Sequence, residues 1–269
     1  MGLFKKFVSQ TRKPEGFLGK VMLSGMNSGH AVMADWGFSH LPPVRPEKAV
    51  DLGCGGGRNA GELLKKYPQA HVTAIDYSDL SVEKAKACNQ AAIAEGRCEV
   101  RQGDVSNLRL PDNSFDLATA FETVYFWPGL DMCFGQVVRI LKPGGIFMIC
   151  NESDGEDDTG KKYEGIIEGM KCYTAEQLET VLKSAGFSEV TSDHHPSKPW
   201  ITVIAKIILK HNLSISMCLI ASCLNKAPLV FYSDRTYIGS ISVCPKSLAI
   251  AKVYAIIPPR CSSSAPPST

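Results

Sequence analysis

From Lys48 onward, short apolar segments alternate with longer segments that have helical patterning. The short segments predict strands over residues 49–52, 71–76, 98–102, 115–121, 146–150, 188–191 and 201–207. The longer segments predict helices over residues 59–67, 78–95, 131–141 and 174–185. Strands that alternate with helices in this way form a mainly parallel sheet that is covered on both faces. The chain is therefore predicted to be an α/β protein with a doubly wound sheet of seven mostly parallel strands.

A glycine-rich loop, VDLGCGGGRN at residues 50–59, follows the first predicted strand. Four of the five positions from Gly53 to Gly57 are glycine. Glycine loses more conformational freedom on folding than any other residue, so this density indicates positive φ angles or a ligand that lies close to the backbone. In doubly wound sheets, ligands bind beyond the carboxyl ends of the strands, near the point where the strand order reverses. The loop is predicted to lie at that point.

Capping residues mark the ends of two predicted helices. Ser78 is a suitable N-cap for the helix over 78–95, and Gly96 is a suitable C-cap. The later helix begins TAEQ, which places Thr174 at the N-cap and Gln177 at the third helical position of a capping box. Gly186 is predicted to end that helix.

Three segments are predicted along the chain. Residues 1–46 form an N-terminal helical cap, residues 47–207 contain the sheet, and residues 208–269 form an irregular, poorly ordered tail. Two short helices are predicted in the cap. The first places four apolar residues on one face, and these are Leu18, Val21, Met22 and Met26. The second covers residues 29–38.

The composition of the tail differs from that of the preceding chain. Residues 207–269 contain six Lys and Arg and a single acidic residue, Asp234, whereas residues 1–206 contain 23 Lys and Arg and 26 Asp and Glu. The tail could be an accessory or oligomerisation segment, or a peripheral membrane or partner segment. We favour a third interpretation, in which it is translated from a wrong frame or beyond a lost stop codon.

Several function classes are disfavoured by composition. The formal net charge of +2 gives no basic field for nucleic acid. The ten cysteines include no CxxC pair, which indicates reduced thiols and a cytoplasmic location. The longest uncharged apolar stretch of the tail, residues 213–225, is too short to span a bilayer, so no stable membrane insertion is expected. Adjacent His194 and His195 point in different directions, and no metal site is predicted.

Two interpretations of the glycine loop compete. Gly55-x-Gly57-x-x-Ala60, followed by Asp76, fits a dinucleotide fingerprint and would indicate an NAD-type oxidoreductase. More of the chain supports a second interpretation, through five motifs that occur in order between residue 48 and about residue 207. They are DLGCGGG, TAIDYS, QGDVSNLRLPDNSFDLATAFETVYFW, LKPGG and YTAEQLETVLKSAGF.

Together these motifs resemble the small-molecule class I S-adenosylmethionine-dependent methyltransferases, the type that includes quinone and sterol enzymes. The resemblance implies a Rossmann-like fold in which residues 47–207 bind S-adenosylmethionine. An intact set of motifs is also compatible with a non-catalytic protein that binds this cofactor. Turnover with an acceptor separates that alternative from an enzyme, and the choice of cofactor separates both from an oxidoreductase.

The resemblance also implies the cofactor contacts. Gly53, Gly55 and Gly57 let the methionine part approach the backbone, and Asp51 orders this loop or meets the cofactor ammonium through water. Asp76 accepts hydrogen bonds from the ribose hydroxyls, because an ionised carboxylate has two acceptor oxygens. The remaining contacts are to adenine, from Tyr77, Asp104 and Val105. Alternatively, Tyr77 is ordinary cover and Asp104 caps a turn.

Methyl transfer from a sulfonium is an in-line displacement that depends mainly on alignment of the acceptor. A general base helps only where the acceptor carries a proton of high pKa. Glu122 is the predicted base, and Tyr125 and Trp127 either line the acceptor site or belong to the core.

Residues of the cap could also face the acceptor, and the candidates are Asn27, His30 and Trp36. The chain has neither an Asp/Asn-Pro-Pro-aromatic motif after the fourth strand nor a Pro-Cys dipeptide, which disfavours amino-methylation of DNA bases or protein glutamine and cytosine C5 chemistry. The predicted partner is therefore a small organic acceptor, with no nucleic acid. The sequence predicts no oligomeric state.

Overall fold

A computed structural model describes residues 29–208, 229–233 and 236–241, together with isolated positions before residue 29, namely 11, 12, 14–16, 19, 22 and 25. The chain divides into two compact units, Met1–Leu209 and Lys210–Thr269. The three segments expected from the sequence stay a prediction. Three residues of the predicted first helix (Leu18, Val21 and Met26) and the candidate Asn27 lie outside the described residues.

The first unit contains the predicted seven-stranded sheet, in the order β3-β2-β1-β4-β5-β7-β6. The strands are β1 Lys48–Leu52, β2 His71–Asp76, β3 Cys98–Gln102, β4 Phe115–Phe121, β5 Leu141–Asn151, β6 Glu189–His194 and β7 Ile201–Lys206. The first five are parallel, and β7 pairs antiparallel with both β5 and β6. The predicted α/β class and the mostly parallel sheet are confirmed.

The described helices of this unit are α1 Ala31–Ser39, α2 Arg58–Lys66, α3 Asp79–Cys88, α4 Gln90–Ala94, α5 Leu130–Ile140, α6 Asp158–Glu164 and α7 Ala175–Ala185. The short helix of the cap and the helix over 174–185 are confirmed. Thr174 and Gln177 form the predicted capping box, and Gly186 adopts a φ of 119° at the end of α7. Helix α6 was not predicted, although Asp157 caps its start by accepting a hydrogen bond from Gly160 N.

The prediction of a single helix over residues 78–95 is wrong, because the structure has two helices that are divided at Asn89. The backbone of Asn89 leaves the helical region, with φ −110° and ψ 20°. Its buried side chain donates hydrogen bonds to the carbonyl oxygens of Gly57 and Ala85, at 2.9 and 3.0 Å. Asn89 therefore ends α3 and at the same time ties it to the glycine loop. Ser78 is confirmed as the N-cap of α3.

Apolar side chains cover both faces of the sheet. One core lies against α5 and α7 and includes Phe134, Phe147 and Leu178. The other lies against α1, α2 and α3 and includes Met33 and Leu63. Burial on both faces explains why the central strands β4 and β5 have long apolar sequences, whereas the edge strand β6 is polar and exposed. The two layers of helices make the sheet doubly wound.

The second unit contains two short strands that the sequence did not predict. Strands β8 Leu229–Ser233 and β9 Thr236–Ile241 pair antiparallel, with Leu229 opposite Ile241 and Ser233 opposite Thr236. Throughout the described part of the chain, no helix has both the length and the apolar character needed to cross a bilayer.

Candidate active site

A cavity of about 300 Å³ opens at the carboxyl ends of β1, β2 and β4. The strand order reverses between β1 and β4, which is where ligands bind in doubly wound sheets. Seven predicted site residues line it, namely Gly53, Gly55, Asp76, Tyr77, Asp104, Val105 and Glu122. The other three, Asp51, Gly57 and Tyr125, lie outside its lining.

Gly53 begins the loop with a positive φ of 73°. Its N–H donates to the carbonyl of Ile75 at 2.8 Å, and the next N–H, from Cys54, donates to the same oxygen at 2.9 Å. A Cβ atom at position 53 would collide with the side chain of Thr123. The loop is thus fixed between the end of β2 and the segment after β4, and glycine is the residue that fits.

Gly55 and Asp76 meet at the cavity. Oδ2 of Asp76 accepts a hydrogen bond from Gly55 N at 2.9 Å, and Oδ1 accepts one from Ser78 N at 2.9 Å. Burial raises the pKa of Asp76, and these two N–H groups oppose the rise. Among the described residues other than its chain neighbours, none has an atom within 4 Å of the position that a Cβ of Gly55 would take, so the cavity approaches the backbone there. This cradle fits a ligand that contacts main chain.

Gly57 has a different role. It lies at the N-cap of α2 with φ 82°, and a Cβ atom there would be 2.7 Å from both Ala85 Cα and Asn89 Nδ2. Glycine at this position allows α2 and α3 to pack closely. The structure therefore connects Gly57 with helix packing rather than with the cavity lining.

Asp51 is buried within the sheet. Its Oδ1 accepts a 2.8 Å hydrogen bond from Thr119 Oγ1 on β4. Burial raises the pKa of Asp51 to about 7; the hydrogen bond from Thr119 lowers it and the charge of Asp76 raises it. Asp51 therefore links β1 to β4 two residues before the glycine loop begins.

Tyr77 connects the cavity with the N-terminal segment. Its hydroxyl donates to the carbonyl oxygen of Arg12, and its ring lines the cavity. Arg12 also lines the cavity, and its Nη1 donates to the carbonyl oxygen of Glu168 at 2.9 Å. Ser78 Oγ donates to the carbonyl oxygen of Pro14 at 3.0 Å. Arg12 and Pro14 therefore cover this side of the cavity.

Asp104 caps a turn, as one of the two sequence interpretations predicts. Its Oδ1 accepts hydrogen bonds from Ser106 N and Ser106 Oγ, at 2.8 and 2.7 Å, at the start of a short 3₁₀ helix, Val105–Asn107. Asp104 and Val105 also line the cavity beside Gly103. The capping role leaves the side chain at the cavity, so the adenine contact stays a prediction.

Glu122 ends β4 in an unusual backbone conformation. Its φ of 57° is positive, which is uncommon for a residue other than glycine. Oε1 accepts hydrogen bonds from Tyr125 Oη at 3.0 Å and from Glu152 N. Burial raises the pKa of Glu122 to about 7, and the charge of Glu152 adds to the rise, whereas His30 and these two hydrogen bonds oppose it. A carboxyl group with such a pKa can exchange a proton near neutral pH.

His30, at the N-cap of α1, lies beside Glu122 and Glu152. Its Nδ1 lies 3.8 Å from Glu122 Oε2 and 3.1 Å from Glu152 Oε1. Burial alone would lower the pKa of His30, but the two carboxylates outweigh burial and raise it. Ligand atoms of the three residues lie within 4.8 Å of one another, close enough to hold a metal ion. The expectation of no metal stays a prediction.

The three aromatic candidates lie in different surroundings. Tyr125 is buried beneath Glu122, and its hydroxyl accepts from Ser153 N at 3.0 Å. Trp127 lines the cavity and donates from Nε1 to Thr123 Oγ1 at 3.3 Å. Trp36 instead packs against other aromatic rings, including Trp200 at 6.1 Å between centroids.

Sequence reasoning missed Glu152, Arg12 and Asn89. Glu152 directly follows β5, so its position at the carboxyl end of a parallel strand was the available signal. Arg12 and Asn89 act through contacts with residues far along the chain, for which the sequence offers no local pattern. Cys54 lines the cavity, and burial raises the pKa of its thiol well above its usual value, so it is not a ready nucleophile.

Residues 50–149 match the protein family described as Methyltransferase domain. A 225-residue region is 36% identical to sterol 24-C-methyltransferase ERG6B of Gibberella zeae and covers 78% of this chain and 59% of the relative. A 171-residue region is 28% identical to sterol 24-C-methyltransferase erg-4 of Neurospora crassa and covers 59% of this chain and 45% of the relative. The chain thus spans about half the length of the curated relatives it matches.

The fold is similar to that of geranyl diphosphate C-methyltransferase from Streptomyces coelicolor, crystallised with Mg²⁺, geranyl-S-thiolodiphosphate and S-adenosyl-L-homocysteine. The TM-score is 0.58 at 12% identity, covering 66% of this chain and 76% of the other. The domain match, the relatives and this shared fold agree with the ordered motifs of the sequence. These findings support a class I S-adenosylmethionine-dependent methyltransferase, with its methyltransferase domain at residues 50–149.

Proposed function

We propose that the protein transfers a methyl group from S-adenosylmethionine to a small-molecule acceptor by in-line displacement. One observation carries the proposal: Gly55 and Asp76 border the same cavity as the buried carboxyl group of Glu122. Gly55 and Asp76 fit the cofactor, and the carboxyl group of Glu122 fits an acceptor that loses a proton. The cofactor, when bound, supplies an activated methyl group on a positively charged sulfur.

The residues of the loop would hold the cofactor. Gly53 and Gly55 present main chain to its amino-acid end, with Asp51 supporting the loop from the sheet. Asp76 would accept the ribose hydroxyls, because each carboxylate oxygen has a further lone pair beside the N–H that it already accepts. Tyr77, Asp104 and Val105 border the space proposed for adenine. Gly57 contributes through the packing of α2 on α3.

The acceptor would lie beside Glu122. Phe126, Trp127 and Pro128 give that part of the cavity an apolar wall. The relatives named above are sterol C-methyltransferases, so an apolar organic acceptor is proposed, and sterols are the first class to test. Glu122 Oε2 would take the proton that such an acceptor loses. Tyr125 would act through Glu122, since its hydroxyl donates to Oε1.

Calorimetry with the full chain tests the cofactor site. We expect S-adenosylmethionine and S-adenosylhomocysteine to bind and NAD not to bind. Asp76→Ala should weaken both sulfur ligands by at least about tenfold, because hydrogen bonds to a charged group are lost. Asp79→Ala is the matched control, because it removes a nearby exposed carboxylate that does not line the cavity.

Three outcomes decide between the candidate functions. Binding of NAD alone would support the oxidoreductase and overturn the proposal. Equal loss in Asp76→Ala and Asp79→Ala would show that the predicted ribose contact is wrong. Binding of both sulfur ligands without turnover on any acceptor of a broad panel would favour a non-catalytic protein.

The setting of the enzyme is also a proposal. We infer a cytoplasmic location, without nucleic acid as a partner, from the free cysteines and the near-neutral charge. Fractionation of cells that express the chain checks the location, and recovery in a membrane pellet would contradict it.

A further inference from the structure

Three ionisable side chains from separate elements meet beside the cavity, and two of them, His30 and Glu122, line it. His30 precedes α1, Glu122 follows β4, and Glu152 follows β5. His30 Nδ1 lies between the two carboxylates, 3.1 Å from Glu152 Oε1 and 3.8 Å from Glu122 Oε2. Among the described residues, Nδ1 has no hydrogen-bond partner of good geometry, so the imidazole acts on the two acidic groups through its charge.

The oxygens of Glu122 have unequal surroundings. Oε1 accepts from Tyr125 Oη and from Glu152 N, so protein donors hold that side of the carboxylate. Oε2 is the oxygen nearer to His30. The side chain is only 16% exposed, and both Glu122 and His30 line the cavity. In so little solvent, the charge of Glu122 depends mainly on its protein neighbours.

These neighbours shift the protonation of Glu122 in opposite directions. Burial and the charge of Glu152 favour protonated Glu122, whereas His30 favours the carboxylate. Glu152 in turn favours the protonated form of His30. Burial raises the pKa values of the surrounding Tyr125, Cys150 and Cys172 well above neutrality, so these groups carry no charge there. The protonation states of Glu122 and His30 therefore depend on each other.

We propose that His30 is a positioning residue for the transfer site: Glu152 holds it as an imidazolium, and the imidazolium holds Glu122 as a carboxylate that faces the cavity. The cap thus contributes to the site the charge that keeps a buried base ready to accept a proton. The inference rests on the proposed function, because the ionised Glu122 would face the sulfonium of S-adenosylmethionine and the acceptor.

The first test measures His30 directly. NMR titration of ¹³C-labelled histidine rings, with the His30 signal assigned by its loss in His30→Gln, gives the protonation midpoint without any ligand. We expect a midpoint above the usual value near 6.5 in the wild type. In Glu152→Gln it should fall by about one pH unit. In Glu189→Gln, which changes an exposed glutamate at the start of β6, it should stay unchanged.

The second test measures the charge of Glu122 with two ligands that differ by a methyl group and a positive charge. The affinity for S-adenosylmethionine relative to S-adenosylhomocysteine should rise by up to about tenfold as Glu122 ionises. In His30→Gln the midpoint of this rise should move to higher pH by about one unit. In His30→Lys, which restores a cation, it should move back. His71→Gln, at the start of β2 and outside the cavity lining, is the neutral control.

The outcomes separate this inference from the proposed function. A wild-type His30 midpoint at or below 6.5, no change in Glu152→Gln, or an unmoved ligand midpoint in His30→Gln would overturn the inference even if both ligands bind. If neither ligand binds, the proposed function fails and this inference fails with it. Titrations in EDTA and with added Mn²⁺ complete the test: a His30 signal that depends on the metal would show that the cluster holds a metal ion in place of the imidazolium, and it would overturn the inference.

Discussion

Thr119 Oγ1 donates a 2.8 Å hydrogen bond to Oδ1 of Asp51 across two neighbouring parallel strands. The two residues are register partners in the pairing of β1 with β4, and both are almost fully buried. Thr119→Val should therefore lower the free energy of unfolding by about 1–3 kcal/mol, because the carboxyl group loses its donor. It should also raise the pKa of Asp51 further. Urea denaturation at constant pH measures the loss.

Thr202→Val is the matched control for that substitution. Thr202 is also fully buried in a strand, but its hydroxyl has no hydrogen-bond partner within the described part of the chain. Replacing an unpaired buried hydroxyl by a methyl group should be nearly neutral or stabilising. Equal losses in the two variants would show that the bond from Thr119 to Asp51 contributes nothing specific.

Asp51 should also make stability depend on pH. Its pKa is about 7 in the folded protein, above the ordinary value of 3.8, so the folded state binds the proton more tightly than the unfolded state. Its contribution to stability is therefore present at low pH and is lost as pH rises between the two values, at up to about 1.4 kcal/mol per pH unit. Above about pH 7 the loss is complete.

Asp51→Asn tests this dependence, because the amide oxygen can still accept from Thr119 but does not titrate. Relative to the wild type, the variant should gain stability progressively from about pH 4 to pH 7. Denaturation curves at several pH values measure the difference in the free energy of unfolding between the variant and the wild type. Glu122 also has a raised pKa, but its contribution is common to both proteins and cancels in this difference. A difference that is constant with pH would contradict the raised pKa of Asp51.

Gly57 and Gly55 should respond differently to alanine. Gly57→Ala combines a positive φ with a Cβ atom 2.7 Å from Ala85 Cα, so it should cost about 2–5 kcal/mol of stability. Gly55→Ala has open space and should cost only about 1–2 kcal/mol, for its φ of 50°. Because its Cβ would enter the cavity, Gly55→Ala should instead weaken S-adenosylmethionine binding.

Thermal denaturation and calorimetry on both variants separate stability from binding. The prediction fails if Gly55→Ala binds the cofactor as tightly as the wild type. It also fails if Gly57→Ala is as stable as Gly55→Ala.

Much of the fold was predictable because its signals are local. The strand spanning His71–Asp76 and the capping box at Thr174 depend on neighbouring residues, and both were confirmed. The break at Asn89 was not predictable, because residues 78–95 have a continuous helical pattern and the break depends on a hydrogen bond to Gly57. Local propensity cannot report a partner that is brought close only by the fold.

Prediction of the candidate site from sequence is limited in the same way, because contacts between distant segments leave no local pattern. The end of a parallel strand predicts that Asp76 and Glu122 share a cavity, since such ends meet at one edge of the sheet. It does not predict that His30 reaches Glu122 from the cap, or that Tyr125 lies beneath the carboxyl group rather than in the wall. Those positions depend on how the cap and the turn after β4 pack.

Tyr125→Phe tests whether Tyr125 takes part in the reaction or positions Glu122. Its hydroxyl donates to Glu122 Oε1 and accepts from the buried N–H of Ser153, each at 3.0 Å. Removing it should cost about 1–3 kcal/mol of stability, because Ser153 N loses its acceptor. The pKa of Glu122 should rise above about 7, since one donor to the carboxylate is lost.

Methyl transfer that requires ionised Glu122 should therefore reach its plateau at higher pH in Tyr125→Phe, with the plateau rate little changed. The pH profile of turnover measures the shift once an acceptor is found, and the relative affinity for the two sulfur ligands measures it before then. Tyr163→Phe, on α6 and outside the cavity lining, should leave both profiles in place. A plateau rate that falls by orders of magnitude at every pH would instead place the hydroxyl of Tyr125 among the reacting groups. Raising the pH restores the charge of Glu122, so a changed pKa alone leaves the plateau in place. Raising the pH does not replace a missing catalytic group.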